Sequence, residues 1–227
     1  MGTLRVISDS DEPFADRAEA GQLLAEQLQE FRGERPVLLG IPRGGVVIAR
    51  RTALALGADL DIVLTHKIGA PFNKELAIGA VCEDGKLFVE QTIARHVGAS
   101  RDYIARAGTE QLREIAHKVE LYRTVLPKLP LGSRLVIVTD DGVATGSTML
   151  AALWAVRNEK PAEIVLALPV GPPDTLTKLA EHADRTVCLK APPFFEALSR
   201  FYLQFGQVED EELLEMLKHE SERRTRQ

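Results

Sequence analysis

Cysteine is nearly absent from this chain: Cys82 and Cys188 are the only two in 227 residues, far apart and each inside an apolar, strand-like run. That spacing argues against a disulfide framework and favours buried free thiols over a catalytic thiol. Positive charge is not in excess either. The 28 Lys and Arg are outnumbered by 33 Asp and Glu, for a net charge of −5. The electrostatic footprint of a nucleic-acid binder is therefore missing. No apolar stretch approaches the ~20 residues of a membrane span. The first residues lack a basic-then-apolar signal pattern, so the expectation is a cytoplasmic protein with no membrane partner. The five histidines are scattered, with no metal-ligand spacing to cysteines or carboxylates, which argues against a metal bound directly by the protein.

What is present is ordinary globular composition, 45% hydrophobic and 27% charged, in a length suited to one domain, 1–227, carrying an insertion. Strand-like and helix-like runs alternate, which predicts an α/β protein: an open, mainly parallel sheet flanked by helices. Phe14–Phe31 reads as an amphipathic helix, Pro36–Ile41 as a first buried strand, Val46–Leu56 as a helix and Asp61–Thr65 as a second strand. Asp84-Gly85, between Leu76–Cys82 and Lys86–Glu90, signals a hairpin. Leu112, Ile115, Val119, Tyr122 and Leu126 form a stripe on one long helix, Ser100–Leu126, so 91–130 is read as a helical insertion. The stripe either covers the core or makes a subunit contact. Arg134–Asp140, Glu163–Pro169 and Arg185–Leu189 are further strands, with helices at Ser147–Arg157, after Pro172 and at Asp210–His219. The charge run Glu220–Arg224 reads as a tail fraying in solvent.

One segment stands apart. In Val136-Ile137-Val138-Thr139-Asp140-Asp141-Gly142-Val143-Ala144-Thr145-Gly146-Ser147-Thr148 a β-branched run delivers two adjacent carboxylates to the carboxyl end of a strand, and a small-residue turn and helix start follow at once. Free N–H groups and the positive dipole end gather at a helix N-terminus, so hydroxyl-binding acids sit beside a phosphate cradle. A strand end that merely capped the next helix would need one aspartate and would leave Ala144–Thr148 unexplained. Their small side chains permit close backbone approach, and their hydroxyls can donate to phosphate. A second strand–turn–helix, Gly40-Ile41-Pro42-Arg43-Gly44-Gly45-Val46, offers two glycines and a fixed cation, a weaker signal alone. Thr65-His66-Lys67-Ile68-Gly69 places a cation at the second strand's end and runs into the loop Ala70–Glu75.

The run Val136–Thr148 resembles the phosphoribosyl diphosphate motif of the type I phosphoribosyltransferases: apolar residues, two acids, an apolar residue, then Ala-Thr-Gly-x-Thr. The resemblance implies that Asp140 and Asp141 bind the ribose 2- and 3-hydroxyls and that Ala144, Thr145, Gly146, Ser147 and Thr148 hold the 5-phosphate, with Gly142 and Val143 also among the substrate-binding residues. Gly142 departs from the pattern, since an apolar side chain is usual there. By the same resemblance Ile41, Arg43, Gly44 and Gly45 form the diphosphate loop, which in the family often holds a non-proline cis peptide, and Lys67 contacts the diphosphate. Ala70–Glu75 lies where the family has a mobile loop that closes over the sugar, but it is short. Lys74 there reads equally as a solvated lysine. Acceptor binding falls to a hood, drawn from Val6–Pro13 and from 190–208. Phe194 or Phe195 would stack on a planar acceptor near Val170, or else fill a small core under a loop.

The implied reaction transfers 5-phosphoribose from phosphoribosyl diphosphate to a nitrogenous small-molecule acceptor, taken as a nucleobase, with release of diphosphate. Asp140, Asp141, Lys67 and Arg43 are the candidate catalytic residues. Mg2+ enters bound to substrate oxygens, with Asp140 or Asp141 reaching it at most through water. The family's habit and the apolar stripe together imply a homodimer. The competing reading is a non-catalytic sensor of nucleotide or phosphoribosyl diphosphate on the same fold. A phosphatase built on the adjacent aspartates lacks the further acids that chemistry needs.

Overall fold

The computed structural model describes residues 2–226. In chain order its strands are β1 (Thr3–Ser8), β2 (Val37–Gly40), β3 (Asp59–Ile62), β4 (Thr65–Gly69), β5 (Ala77–Cys82), β6 (Leu87–Val89), β7 (Leu135–Thr139), β8 (Glu163–Val170) and β9 (Arg185–Lys190). Its α-helices are α1 (Arg17–Gln27), α2 (Gly44–Leu56), α3 (Gln91–His96), α4 (Arg101–Arg123), α5 (Ser147–Asn158), α6 (Pro173–Ala180) and α7 (Asp210–Thr225).

Six strands form a wholly parallel sheet in the order β1-β9-β8-β7-β2-β3. Alternate strand residues face opposite sides. Leu38, Ile137, Val165 and Val187 pack with α1 and α2, whereas Val37, Leu39, Val138 and Leu166 pack with α5 and α6. Covering both faces is what makes these strands read as unbroken apolar runs. From β2 the chain first adds β3 on one side, then returns to place β7 on the other. The crevice outside the carboxyl ends of β2 and β7 is therefore the topological switch point, where open α/β sheets bind ligands. Register pairs Leu39 with Val138 and Gly40 with Thr139, so the loop after β2 and the acids after β7 emerge side by side.

Several boundaries differ from the sequence expectation. The predicted second strand is two: β3 ends at Ile62, and Thr65–Gly69 is β4 in a separate antiparallel sheet, β4-β5-β6. Lys67 accordingly lies within a hairpin strand, not at the end of the parallel one. The first helix starts only at Arg17, because the Asp16 carboxylate caps it by accepting the Glu19 N–H at 2.8 Å. Part of the expected N-terminal hood segment, Val6–Ser8, belongs to edge strand β1.

The apolar stripe of α4 is buried within the chain: Ile115, Tyr122 and Leu126 pack with Val46, Ile62, Leu64 and with Leu213 and Leu217 of α7. It covers core, and the subunit-contact reading of that stripe falls away. The charged tail does not fray. α7 continues to Thr225, with Glu220 only 6% exposed. β3 is an edge strand whose outer backbone groups need partners. Glu220 accepts the Leu60 N–H at 3.2 Å, Arg223 donates to the Ala58 carbonyl at 2.7 Å, and Arg224 donates to the carbonyl of Leu60. Charges that look solvated in sequence thus close the sheet edge.

Candidate active site

Two helices open at the switch point, and neither has a side-chain cap. α2 begins at Gly44, and α5 follows Gly146, which takes the left-handed conformation at φ 75°. Helices α1, α3 and α4, by contrast, are capped by Asp16, Glu90 and Ser100. Val46 N–H of α2 donates to the Arg43 carbonyl at 3.1 Å and Ser147 N–H of α5 reaches Thr145 Oγ1 at 3.5 Å. The ends of both helices still present N–H groups and a dipole that favour an anion.

The acid pair packs directly on the first turn of α2. A Cβ at Gly44 would stand 2.1 Å from Asp141 Oδ2, and one at Gly45 would stand 2.7 Å from Asp140 Oδ1. The two glycines are there because the carboxylates occupy the space a side chain would take. Asp140 Oδ1 accepts the N–H of Asp141 at 2.8 Å. Burial first, and the neighbouring Asp141 charge second, push the Asp140 carboxyl well above the usual range. Asp141 Oδ2 is held by Arg17 Nε at 2.8 Å, and its carbonyl accepts the Tyr202 hydroxyl at 2.5 Å. The Arg17 guanidinium lies 4.0 Å over the Phe205 ring and donates to the Gly206 carbonyl at 2.8 Å. Arg17 and Tyr202 were missed by sequence reasoning: Arg17 lies 124 residues from its partner, and no local pattern marks such a contact.

Gly142 has a structural reason. A Cβ there would meet Leu198 Cδ1 at 2.3 Å and Val170 Cγ1 at 2.9 Å. Leu198, from a 3-10 turn at Leu198–Phe201, fills the place of the apolar side chain that the family pattern carries. Gly142→Val should accordingly destabilise the chain by about 1–3 kcal/mol. A lowered urea midpoint would show this, with partial recovery when Leu198→Ala is added.

The turn itself is well tied. Val143 N–H donates to the Val170 carbonyl at 3.0 Å, and Thr175 Oγ1 donates to the Ala144 carbonyl at 2.9 Å. The Ser147 hydroxyl is engaged by the Glu75 carbonyl at 2.7 Å. Ala144, Thr145 and Thr148 face solvent.

On the other flank the Pro42–Arg43 peptide is cis, as the resemblance implies for a diphosphate loop. Ile41 N–H donates to the Thr139 carbonyl at 3.1 Å, joining this loop to β7. Arg43 stands 3.6 Å from Asp210 and 3.7 Å from Glu209, and Lys67 pairs with Glu75 at 2.9 Å. Pro42, Lys67 and Thr148 border one cavity of about 280 Å3. His66, also on its wall, bonds Gln111 at 3.1 Å, and burial lowers its pKa. The structure therefore brings Ile41–Gly45, Lys67 and Asp140–Thr148 to one edge.

The aromatic segment is less unified. Phe195 stacks on Phe201 at 5.0 Å and, like the enclosed Val170, packs in the core cluster of Phe14 and Tyr202. Phe194 is 85% exposed, apart from them. A larger cavity, about 930 Å3, lies at the opposite, amino edge of the sheet, where Arg134 and Arg185 are already paired with Asp59, Glu163 and Glu30.

Open parallel sheets bind ligands at such a switch point, and helix N-termini there favour anions. Residues 15–205 match the phosphoribosyl transferase domain. The chain belongs to the phosphoribosyltransferase family, type I. It is 39% identical over 206 residues to proteins of two Mycobacterium tuberculosis strains (CDC 1551/Oshkosh and ATCC 25618/H37Rv), whose names give a phosphoribosyl transferase provisionally. The match covers 90% of this chain and 46% of those proteins, so the chain spans about half their length. The crystal structure of TT1426 from Thermus thermophilus is similar at TM-score 0.87 and 43% identity, over 91% of this chain and 98% of that one.

Proposed function

We propose that this chain transfers 5-phosphoribose from magnesium phosphoribosyl diphosphate to a nitrogenous acceptor, a nucleobase, and releases diphosphate. The observation that carries the reading is the meeting of Asp140–Asp141, the open N-termini of α2 and α5, and the cations Arg43 and Lys67 at one sheet edge. Asp140 and Asp141 orient the ribose through its hydroxyls. The turn Ala144–Thr148 anchors the 5-phosphate through backbone N–H groups and the hydroxyls of Thr145 and Thr148. That anchoring fixes C1 relative to the attacking nitrogen. Negative charge grows on the leaving diphosphate as the C1–O bond breaks, and Arg43, Lys67 and the N-terminus of α2 stabilise it.

Mg2+ belongs to the substrate in this reading. Among the described residues no group of three or more His, Cys, Asp and Glu side chains could hold a metal ion, and Asp141 is already paired with Arg17. The donor set suits an ion carried on phosphate oxygens, with an aspartate reaching it through water.

The test is diphosphate release from magnesium phosphoribosyl diphosphate across a panel of purines, pyrimidines and other amines. Release with at least one acceptor is expected. Tight binding of the donor with silence throughout would replace the enzyme by a sensor of the same ligand, and no binding at all would overturn both.

A further inference from the structure

The insertion is the part of the chain to which this reading assigns no role. Its long helix forms the outer wall of the cavity at the diphosphate end. Opposite Pro42, Lys67 and Thr148 that wall is made by Gln111, Ile115 and Lys118. These three follow i, i+4, i+7 spacing and so share one face of α4. The face is fixed in place: Gln111 bonds His66 at 3.1 Å, and Ile115 is buried in the core. The cavity lining includes two ammonium groups, Lys67 and Lys118, and no carboxylate. Two acids stand at its margin, Glu75 on Lys67 at 2.9 Å and Glu114 one turn before Lys118 on α4. A space of about 280 Å3 with that lining suits a compact polyanion.

The short loop after β4 is unsuited to cover this space. It is tied at three points: Glu75 carbonyl to Ser147 Oγ at 2.7 Å, Lys74 Nζ to Tyr103 Oη at 2.8 Å, and Tyr103 Oη to the Gly69 carbonyl at 2.8 Å. These bonds hold it beside the phosphate turn and against α4.

We propose that α4 is a fixed roof over the leaving diphosphate, with Lys118 as an additional diphosphate-binding residue and Gln111 holding the helix in register through His66. The inference rests on the reading given under Proposed function. In the transfer step the acceptor nitrogen forms the new bond to C1 and gives its proton to water. The electron pair of the broken C1–O bond leaves with diphosphate, and the charge it adds falls between Lys67 and Lys118. A cation carried on a helix already packed in place needs no loop closure before chemistry, in contrast to a mobile lid.

Calorimetry on the full chain, with magnesium present, tests this through two ligands: phosphoribosyl diphosphate and ribose 5-phosphate, which lacks the diphosphate. Lys118→Ala is expected to weaken the first roughly tenfold and to leave the second unchanged. Lys118→Arg should restore most of the affinity. Arg113→Ala, which removes the same charge from an α4 position that is exposed, as Lys118 is, but lies outside the cavity lining, should change neither. Wild-type affinity for phosphoribosyl diphosphate in Lys118→Ala would overturn the inference alone. An equal loss for both ligands would also overturn it, as a general charge effect. Failure of the unaltered chain to bind phosphoribosyl diphosphate would instead overturn the functional reading and this inference with it.

Discussion

Asp140→Asn should lose the sugar donor and yet melt at a higher temperature without ligand. The carboxylate is expected to accept from ribose hydroxyls, and losing hydrogen bonds to a charged group reduces affinity by about 10- to 100-fold. Removing both charges, with Asp141→Asn added, should abolish binding in calorimetry. The stability change has the opposite sign. Burial and the adjacent Asp141 charge raise the Asp140 pKa above its ordinary 3.8. A raised carboxyl favours folding fully only below that ordinary value, and this contribution is lost as pH rises through the folded-state value. At neutral pH folding of the ligand-free chain therefore bears the cost of either holding this charge in a half-buried site or protonating it, and asparagine removes that cost, while the amide oxygen can still accept from Asp141 N–H. The gain should be about 1 kcal/mol, or ~2–4 °C in melting temperature. Calorimetric scans should show it at pH 7–8 and show it shrinking toward pH 4. A lowered melting temperature at neutral pH would mean the carboxylate is structurally required.

Asp61→Ala should be among the most damaging single changes outside the site. Asp61 is 1% exposed, accepts from Arg123 Nη1 at 2.6 Å and from Leu129 N–H at 2.8 Å, and pins the end of α4 to edge strand β3. Arg123 also pairs with Glu83 at 2.5 Å. A stranded buried charge costs about 3–5 kcal/mol. Glu83 keeps Arg123 paired, so the loss is expected near the lower end, about 3 kcal/mol, with the unpaired Leu129 N–H adding to it. Urea denaturation should therefore show a large fall in midpoint. Replacing both partners, Asp61→Leu with Arg123→Met, should recover much of the loss, because well-packed apolar pairs often match buried ion pairs. No recovery would show that Glu83 or the Leu129 backbone, not the pair, dominates.

The residues proposed for the donor could be picked out in sequence because most of them fall in short contiguous runs at strand ends. A β-branched strand, two acids and a glycine-containing turn carry their physics locally in Val136–Thr148, and Asp84-Gly85 likewise marks its hairpin, with Gly85 at φ 80°. The division between β3 and β4 was not legible, because Val63-Leu64 continues the apolar run and composition carries no mark of a change of sheet. Nor were the partners that long-range packing supplies. Leu198 explains Gly142 from 56 positions away (198 − 142), and the Glu220–Arg224 charges have as partners the backbone of a remote strand. A residue whose partner is chosen only by the tertiary fold reads, in sequence, as an ordinary surface residue.

The clamp on Asp141 has a consequence for when the protein becomes competent. Arg17 comes from the first helix and Tyr202 from the aromatic segment beyond the last strand, and both hold the same aspartate. Contacts of such sequence separation are late to form, because the loops they close must be ordered first. A growing or partly unfolded chain can make the turn after β7 locally, but its second acid is not held until the two flanks have met. The fixing of Asp141 and the finished fold are then a single event, so a ligand of that aspartate, such as the proposed donor, would report the completed chain and stabilise only that state.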